Sequence, residues 1–281
     1  MSHARVAILT ILALAAFAGN SLLCRAALTR TSIDAASFTT VRLVSGALVL
    51  WLLVALRRRD GTTGKGSWLS ALALFAYAAG FSFSYLQLPT ASGALILFGA
   101  VQATMIAWGL RSGERLRPVQ LAGLLLACGG LVGLLLPGLS APPLASSVLM
   151  LGAGVAWGVY SLRGKGAGDA LRVTSGNFLR AMPIAVALSA LLWREAAPDP
   201  VGIWYAFLSG ALTSGLGYAI WYTALPSLAS TTAAAVQLSV PVLAALGGVA
   251  FLAEPLSLRL LAASTAIIGG IALVVLAPRK A

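Results

Sequence analysis

Apolar residues fall along this chain in ten runs, near 6–24, 38–56, 68–86, 91–110, 118–136, 147–163, 177–193, 203–224, 231–252 and 258–277, with short polar or basic stretches between them. Each run is close to the roughly 20 residues an α-helix needs to cross a bilayer. A segment in hydrocarbon must satisfy its own backbone groups, so runs of this length predict helices. The fold class is therefore an all-α integral membrane protein with ten transmembrane helices, leaving almost nothing for a soluble domain. The first run lacks a convincing signal-peptide cleavage site and is read as a retained helix.

The second half of the chain repeats the first. Tyr-x-x-Leu-Pro occurs at Tyr85 and again at Tyr222, an offset of 137. Farther on the offset is 140, and Glu114, Leu116, Leu121, Ala122, Gly129, Gly130 and Leu136 fall on Glu254, Leu256, Leu261, Ala262, Gly269, Gly270 and Leu276. A weaker match places Arg42 on Arg180. Self-similarity at half the chain length indicates duplication. With five spans in each half, 1–137 and 138–281, the two repeats have inverted topology, as in many secondary transporters.

Composition agrees with a membrane protein. The chain is 59% hydrophobic and 9% charged, far below the about 25% charge of soluble domains. Its net charge of +12 would suggest nucleic acid in a soluble protein, but the distribution gives another meaning. With the N-terminus inside, thirteen of nineteen basic residues lie on the inner side and only Arg25, Arg30, Arg194 and Arg259 on the outer. The positive-inside rule then puts both termini in the cytoplasm. The basic loops face anionic lipid headgroups, and no nucleic-acid partner or obligate protein partner is expected. Trp51, Trp68, Trp108, Trp193, Trp204 and Trp221 fall near span ends, where indoles anchor, while Trp157 lies mid-span. Cys24 and Cys128 occupy different spans and read as small apolar fillers.

Candidate chemistry is narrowed by what the spans contain. All seven acidic residues lie in loops or at span ends, and the single histidine is His3. No carboxylate or imidazole is placed for a midplane proton relay, and no nucleophilic or metal-binding constellation can be assembled. An enzyme is not expected, nor a metal or cofactor. Arg42 and Arg180 lie about one turn into their spans, close enough to the interface to snorkel. Interfacial anchoring is the favoured reading for both, with a gate or a contact to a substrate carboxylate as the alternative. Asn20, Ser84, Gln102 and Gln237 are neutral polar residues at depth that suit a polar ligand, although lone amides also serve as interhelical glue. Tyr77 and Phe81 share a face of the third span, Trp157 and Tyr160 of the sixth, and Tyr218 lies on the eighth. A buried phenol needs a hydrogen-bonding partner, so these aromatics are read as cavity lining rather than core packing. Pro89 and Pro226 end the third and eighth spans, and Pro241 lies within the ninth. They join Arg42 and Arg180 as hinge or gate candidates.

The duplicated stretch, with Glu114 and Glu254, the Gly-Gly pairs 129–130 and 269–270, Pro241, and Ala-Gly-Asn from Ala18 matched by Ala-Trp-Gly from Ala156, resembles the module of the drug/metabolite transporter superfamily. Arg42 and Arg180 match its second-helix arginine. Val101 stands where the first half often has proline, and the first-helix glutamate of the small multidrug pumps has no counterpart. The resemblance implies a central cavity lined by helices one, three, four, six, eight and nine, with five and ten peripheral. It also implies a bacterial inner-membrane exporter of small metabolites, with amino acids foremost. Within the superfamily the chain looks like the amino-acid exporter branch, aromatic amino-acid exporters included. Alternating access without a buried titrating group predicts facilitated diffusion. The rival readings are an exporter of lipophilic cations or drugs, and a non-transporting membrane scaffold or sensor.

Overall fold

The computed structural model describes residues 2–57, 65–113, 117–136, 141–164, 168–228 and 236–276. Outside them lie Glu114 and Leu116 of the repeat, the junction at 137–138, and the basic loop residues Arg58, Arg59, Arg115, Lys165, Arg279 and Lys280.

The described residues form helices and no strands. In order these are α1 (His3–Arg30), α2 (Ala35–Leu56), α3 (Trp68–Tyr85), α4 (Thr90–Arg111), α5 (Pro118–Leu135), α6 (Leu144–Gly164), α7 (Ala170–Leu191), α8 (Pro200–Ser227), α9 (Ser239–Leu252) and α10 (Leu258–Leu276). Eight of them are long and apolar enough to cross a membrane by length and composition. The exceptions have visible causes. Helix α7 has 22 residues but carries Arg172, Asn177 and Arg180, and α9 is apolar but has only 14. The ninth run was expected to begin at 231, but 231–235 lie outside the described residues and the regular helix begins at Ser239. Pro241 is then the third residue of α9, not a mid-helix kink. Lacking an N–H, it cannot bond the Gln237 carbonyl four residues earlier, and the chain turns at Leu238.

Most helix starts are set by local chemistry. Asp34, Ser67, Asp169 and Asp199 each accept a bond from a backbone N–H in the first turn of the helix they precede, and Pro118 and Pro200 occupy first-turn positions. Helix α4 differs, because its N-cap is Pro89, which has no side-chain acceptor. The carboxylate of Glu254, 164 residues away, accepts from Thr90 N at 2.7 Å instead. Helix α8 widens into a π segment, Ser209–Leu216, where it meets α2. A Cβ at Gly210 would collide with the Arg42 carbonyl and the Ser45 hydroxyl, so this glycine lets the two backbones touch.

Helices α1–α4 and α6–α9 enclose a common interior, and α5 pairs with α10 at one side. The α5–α10 seam is a glycine contact, with Gly123 and Gly270 each facing the other's carbonyl. Trp51, Trp68, Trp108, Trp193 and Trp204 are exposed on the outside of the bundle, as a belt of anchors requires. Trp221 does not join them: only 6% exposed, it turns inward.

Candidate functional site

A cavity of about 460 Å³ occupies the centre of the bundle, within the range of about 300–1,000 Å³ usual for small-molecule sites. Its deep end is walled by Phe17 and Asn20 of α1, Tyr77 and Phe81 of α3, and Thr213 and Ser214 of the π segment. From there the lining runs past Gln102, Trp157, Tyr218, Trp221 and Gln237 to Gly168, Pro226 and Leu228, where exposure rises. The cavity therefore leads out at the end of the bundle where α6 and α8 finish and α7 begins. At the opposite end Tyr85, Leu88 and Thr90 are fully buried.

That opposite end is closed by an ion pair. Arg25 Nε lies 3.1 Å from Glu254 Oε1, and Arg25 Nη1 donates to the Tyr85 and Leu86 carbonyls at 2.8 and 3.1 Å. Because Glu254 also caps α4, one carboxylate joins the ends of α1, α3, α4 and α9. It is presented by Ala253, which adopts the left-handed conformation (φ 56°) at the end of α9.

The aromatic residues form one connected wall. The Trp157 ring lies 4.7 Å from Tyr77, 5.1 Å from Tyr218 and 5.3 Å from Tyr160, centroid to centroid. Tyr77 contacts Phe81, and Phe17 packs edge-on against Tyr218 and Trp221. Offset and edge contacts of this kind hold ring positions to about 1 kcal/mol each.

A polar network lies behind the wall. Ser209 donates to Asn20 Oδ1 at 2.7 Å, with the Thr213 hydroxyl, which donates to the Ser209 carbonyl at 2.7 Å, a further 3.3 Å contact; this directs Asn20 Nδ2 toward the Tyr77 hydroxyl at 3.2 Å. Arg42 Nη2 donates to the same hydroxyl at 2.9 Å, and Arg42 Nε to Ser214 at 3.3 Å. The guanidinium also lies over the rings of Tyr77 and Phe81, 5.1 and 4.9 Å from their centroids.

Of the residues picked out in the sequence, Asn20, Tyr77, Phe81, Gln102, Trp157, Tyr218, Gln237 and Pro226 line the cavity. Ser84 does not: it donates to the Gly80 carbonyl and lies on the face of α3 that packs on α6. Tyr160 stands one layer back, stacked on Trp157, with Asn177 donating to its hydroxyl at 3.4 Å. Pro89 lies in the sealed end rather than the cavity.

The two arginines part company. Arg180 behaves as an anchor, donating to the Lys65 and Gly176 carbonyls. Arg42 is 2% exposed and points into the bundle, so interfacial snorkelling does not describe it. The reason is its neighbourhood, since α3 and α8 offer a hydroxyl each and two ring faces at the height of its guanidinium. Sequence reading also passed over Ser209, Thr213 and Ser214. The available signal was hydroxyl residues among Gly210, Gly215 and Gly217, a composition that suits a locally widened helix.

Residues 144–276 match the EamA-like transporter family. An uncharacterized protein of Pseudomonas aeruginosa is 58% identical over 279 residues, covering 99% of this chain and 97% of its own. The chain belongs to the EamA-like transporter family. It is a multi-pass membrane transporter, and the family lies within the drug/metabolite transporter superfamily. An uncharacterized transporter of Archaeoglobus fulgidus is 28% identical over 223 residues, covering 75% of this chain and 76% of its own. A solved crystal structure superposes with a TM-score of 0.70 over all of both chains at 20% identity, a likeness of fold.

Proposed function

We propose that this EamA-like transporter is a bacterial inner-membrane carrier that exports small metabolites, amino acids foremost, with both termini in the cytoplasm. The observation that carries this reading is the pairing of an aromatic wall with Asn20, Gln102 and Gln237 in one cavity. Flat apolar or aromatic side chains would pack on Tyr77, Trp157 and Tyr218, and the amides would engage polar groups of the cargo. The repeats, 1–137 and 138–281, would rock about this site. The arrangement described is then the inward-facing state, its outer end held by Arg25 and Glu254. Among the described residues no carboxylate lines the cavity, which supports facilitated diffusion down the substrate gradient.

The test is uptake of a radiolabelled amino-acid panel into proteoliposomes, with and without an imposed proton gradient. Saturable uptake that ignores the gradient is expected. Gradient-dependent uptake would refute the energetics and keep the substrate class. Failure to take up any amino acid, with uptake of lipophilic cations instead, would overturn the reading.

A further inference from the structure

We propose that Arg42 and Tyr77 together form an anion site that takes the carboxylate of the cargo. The proposal deepens the transport reading above and rests on it. Arg42 is a buried cation with no carboxylate partner among the described residues: the nearby donors and acceptors are Tyr77 and Ser214, and the ring faces are Tyr77 and Phe81. Along the chain the nearest acidic residue is Asp34, the N-cap before α2, two turns away and engaged in capping the helix. Burying a charge without a counter-charge is costly, and cation–π contacts return only part of that cost. A guanidinium has five N–H donors, and here the Nη1 group is buried with no hydrogen-bond partner.

Tyr77 gives the second, independent indication. Its hydroxyl oxygen already accepts from Arg42 Nη2 and from Asn20 Nδ2. With both lone pairs engaged, the phenol can only donate its proton, and no protein acceptor for it is present among the described residues. Ser209 holds Asn20 in the orientation that imposes this. The Tyr77 proton and the Arg42 Nη1 protons are thus both left facing a missing acceptor.

Arg42 is not itself part of the lining, but Tyr77 and Ser214 are both cavity wall and both bonded to it, so an anion reaching the wall between them meets the phenol with the guanidinium one hydrogen bond behind it. Charge-assisted bonds to a planar guanidinium suit a carboxylate. A cationic cargo would meet an uncompensated positive charge in a low-dielectric interior, which weighs against lipophilic cations.

The test is binding to the purified full-length protein, followed by intrinsic tryptophan fluorescence because Trp157 and Trp221 line the cavity. The probes are L-phenylalanine, 3-phenylpropionate, which lacks the amine, and phenethylamine, which lacks the carboxylate. The first two are expected to bind, with phenethylamine weaker by roughly tenfold or more. Tyr77→Phe keeps the ring and should weaken both carboxylates by roughly tenfold while leaving phenethylamine unchanged; Arg42→Gln should weaken them further. Equal binding of L-phenylalanine and phenethylamine would overturn the anion site and leave amino-acid transport standing. Binding of 3-phenylpropionate without L-phenylalanine would support the anion site and remove the amino-acid reading. Binding of none of the three, or carboxylate binding unchanged in both variants, would overturn the proposal.

Discussion

Arg25 of α1 and Glu254, beyond the end of α9, are joined across the first and last thirds of the chain by an ion pair of 3.1 Å with 17% and 14% of their side chains exposed. Glu254 also caps α4, so its loss would deprive Thr90 N and Arg25 Nε of their acceptor at once. We expect Glu254→Gln to cost about 2 kcal/mol at the sealed end and to favour its opening. The native reporter is Cys24, fully buried one residue before Arg25. In a Cys128→Ser background, labelling of Cys24 by a water-soluble maleimide should accelerate in Glu254→Gln. Unchanged labelling would count against a closing role for the pair.

Asp34 and Asp199 tie the loop before α2 to the loop before α8. Asp34 accepts from Ser37 N and Ala197 N at 2.8 and 3.0 Å, and Asp199 from Gly202 N and Ser32 Oγ at 2.7 and 3.2 Å. Burial of the Asp34 carboxyl opposes its ionisation, but the bonds from Ser37 and Ala197 outweigh this and hold its pKa below the ordinary value. A depressed carboxyl pKa stabilises the fold above the unfolded value of about 3.9, and that contribution is lost as pH falls through the folded value. Asp34→Ala should therefore lower stability by about 1 kcal/mol at neutral pH. The gap in Tm between wild type and variant should close below pH 4. A gap that stays constant down to pH 3 would contradict the assignment.

The paired glycines of the repeat differ in what they do. A side chain at Gly270 would run into Gly123 and Ala127 of α5, whereas Gly269 has nothing within 4 Å. Gly270→Leu should destabilise by roughly 1–3 kcal/mol through separation of α5 and α10. Gly269→Ala should be neutral or stabilise by up to about 1 kcal/mol, because alanine favours a helix. Thermal unfolding in detergent distinguishes the two, and equal effects would mean that the seam is wrongly placed.

Trp157 touches three tyrosines, and Trp204 is 63% exposed on the outside of the bundle. Trp157→Ala should raise the apparent KM for amino-acid uptake by roughly tenfold, the scale of a lost aromatic contact with its buried area. Trp204→Ala should leave KM unchanged. Similar kinetics for both variants would displace the site from this wall.

Much of the cavity lining was legible because helical spacing fixes which residues share a face. Tyr77 and Phe81, four apart, do line one wall, and Asn20 meets them from α1. Ser84, seven residues after Tyr77, does not, because the close packing of Gly80 on α6 draws that part of the face into a helix seam. Arg42 and Arg180 occupy matching places in the duplicated sequence, yet one is an inner strut and the other a loop anchor. No single-helix property distinguishes them; the difference comes from the hydroxyls and rings that neighbouring helices bring to Arg42.

The sequence by itself determined the helical runs, the repeat and the excess of basic residues in particular loops, since these follow from hydrophobic length and local charge. It also located most of the aromatic wall. Tertiary structure alone decided that Glu254 caps a helix from the other half, that α8 widens where it meets α2, and that Arg42 lies buried behind Tyr77. Each of these depends on partners more than thirty residues apart, and only the packed bundle sets their distance and direction.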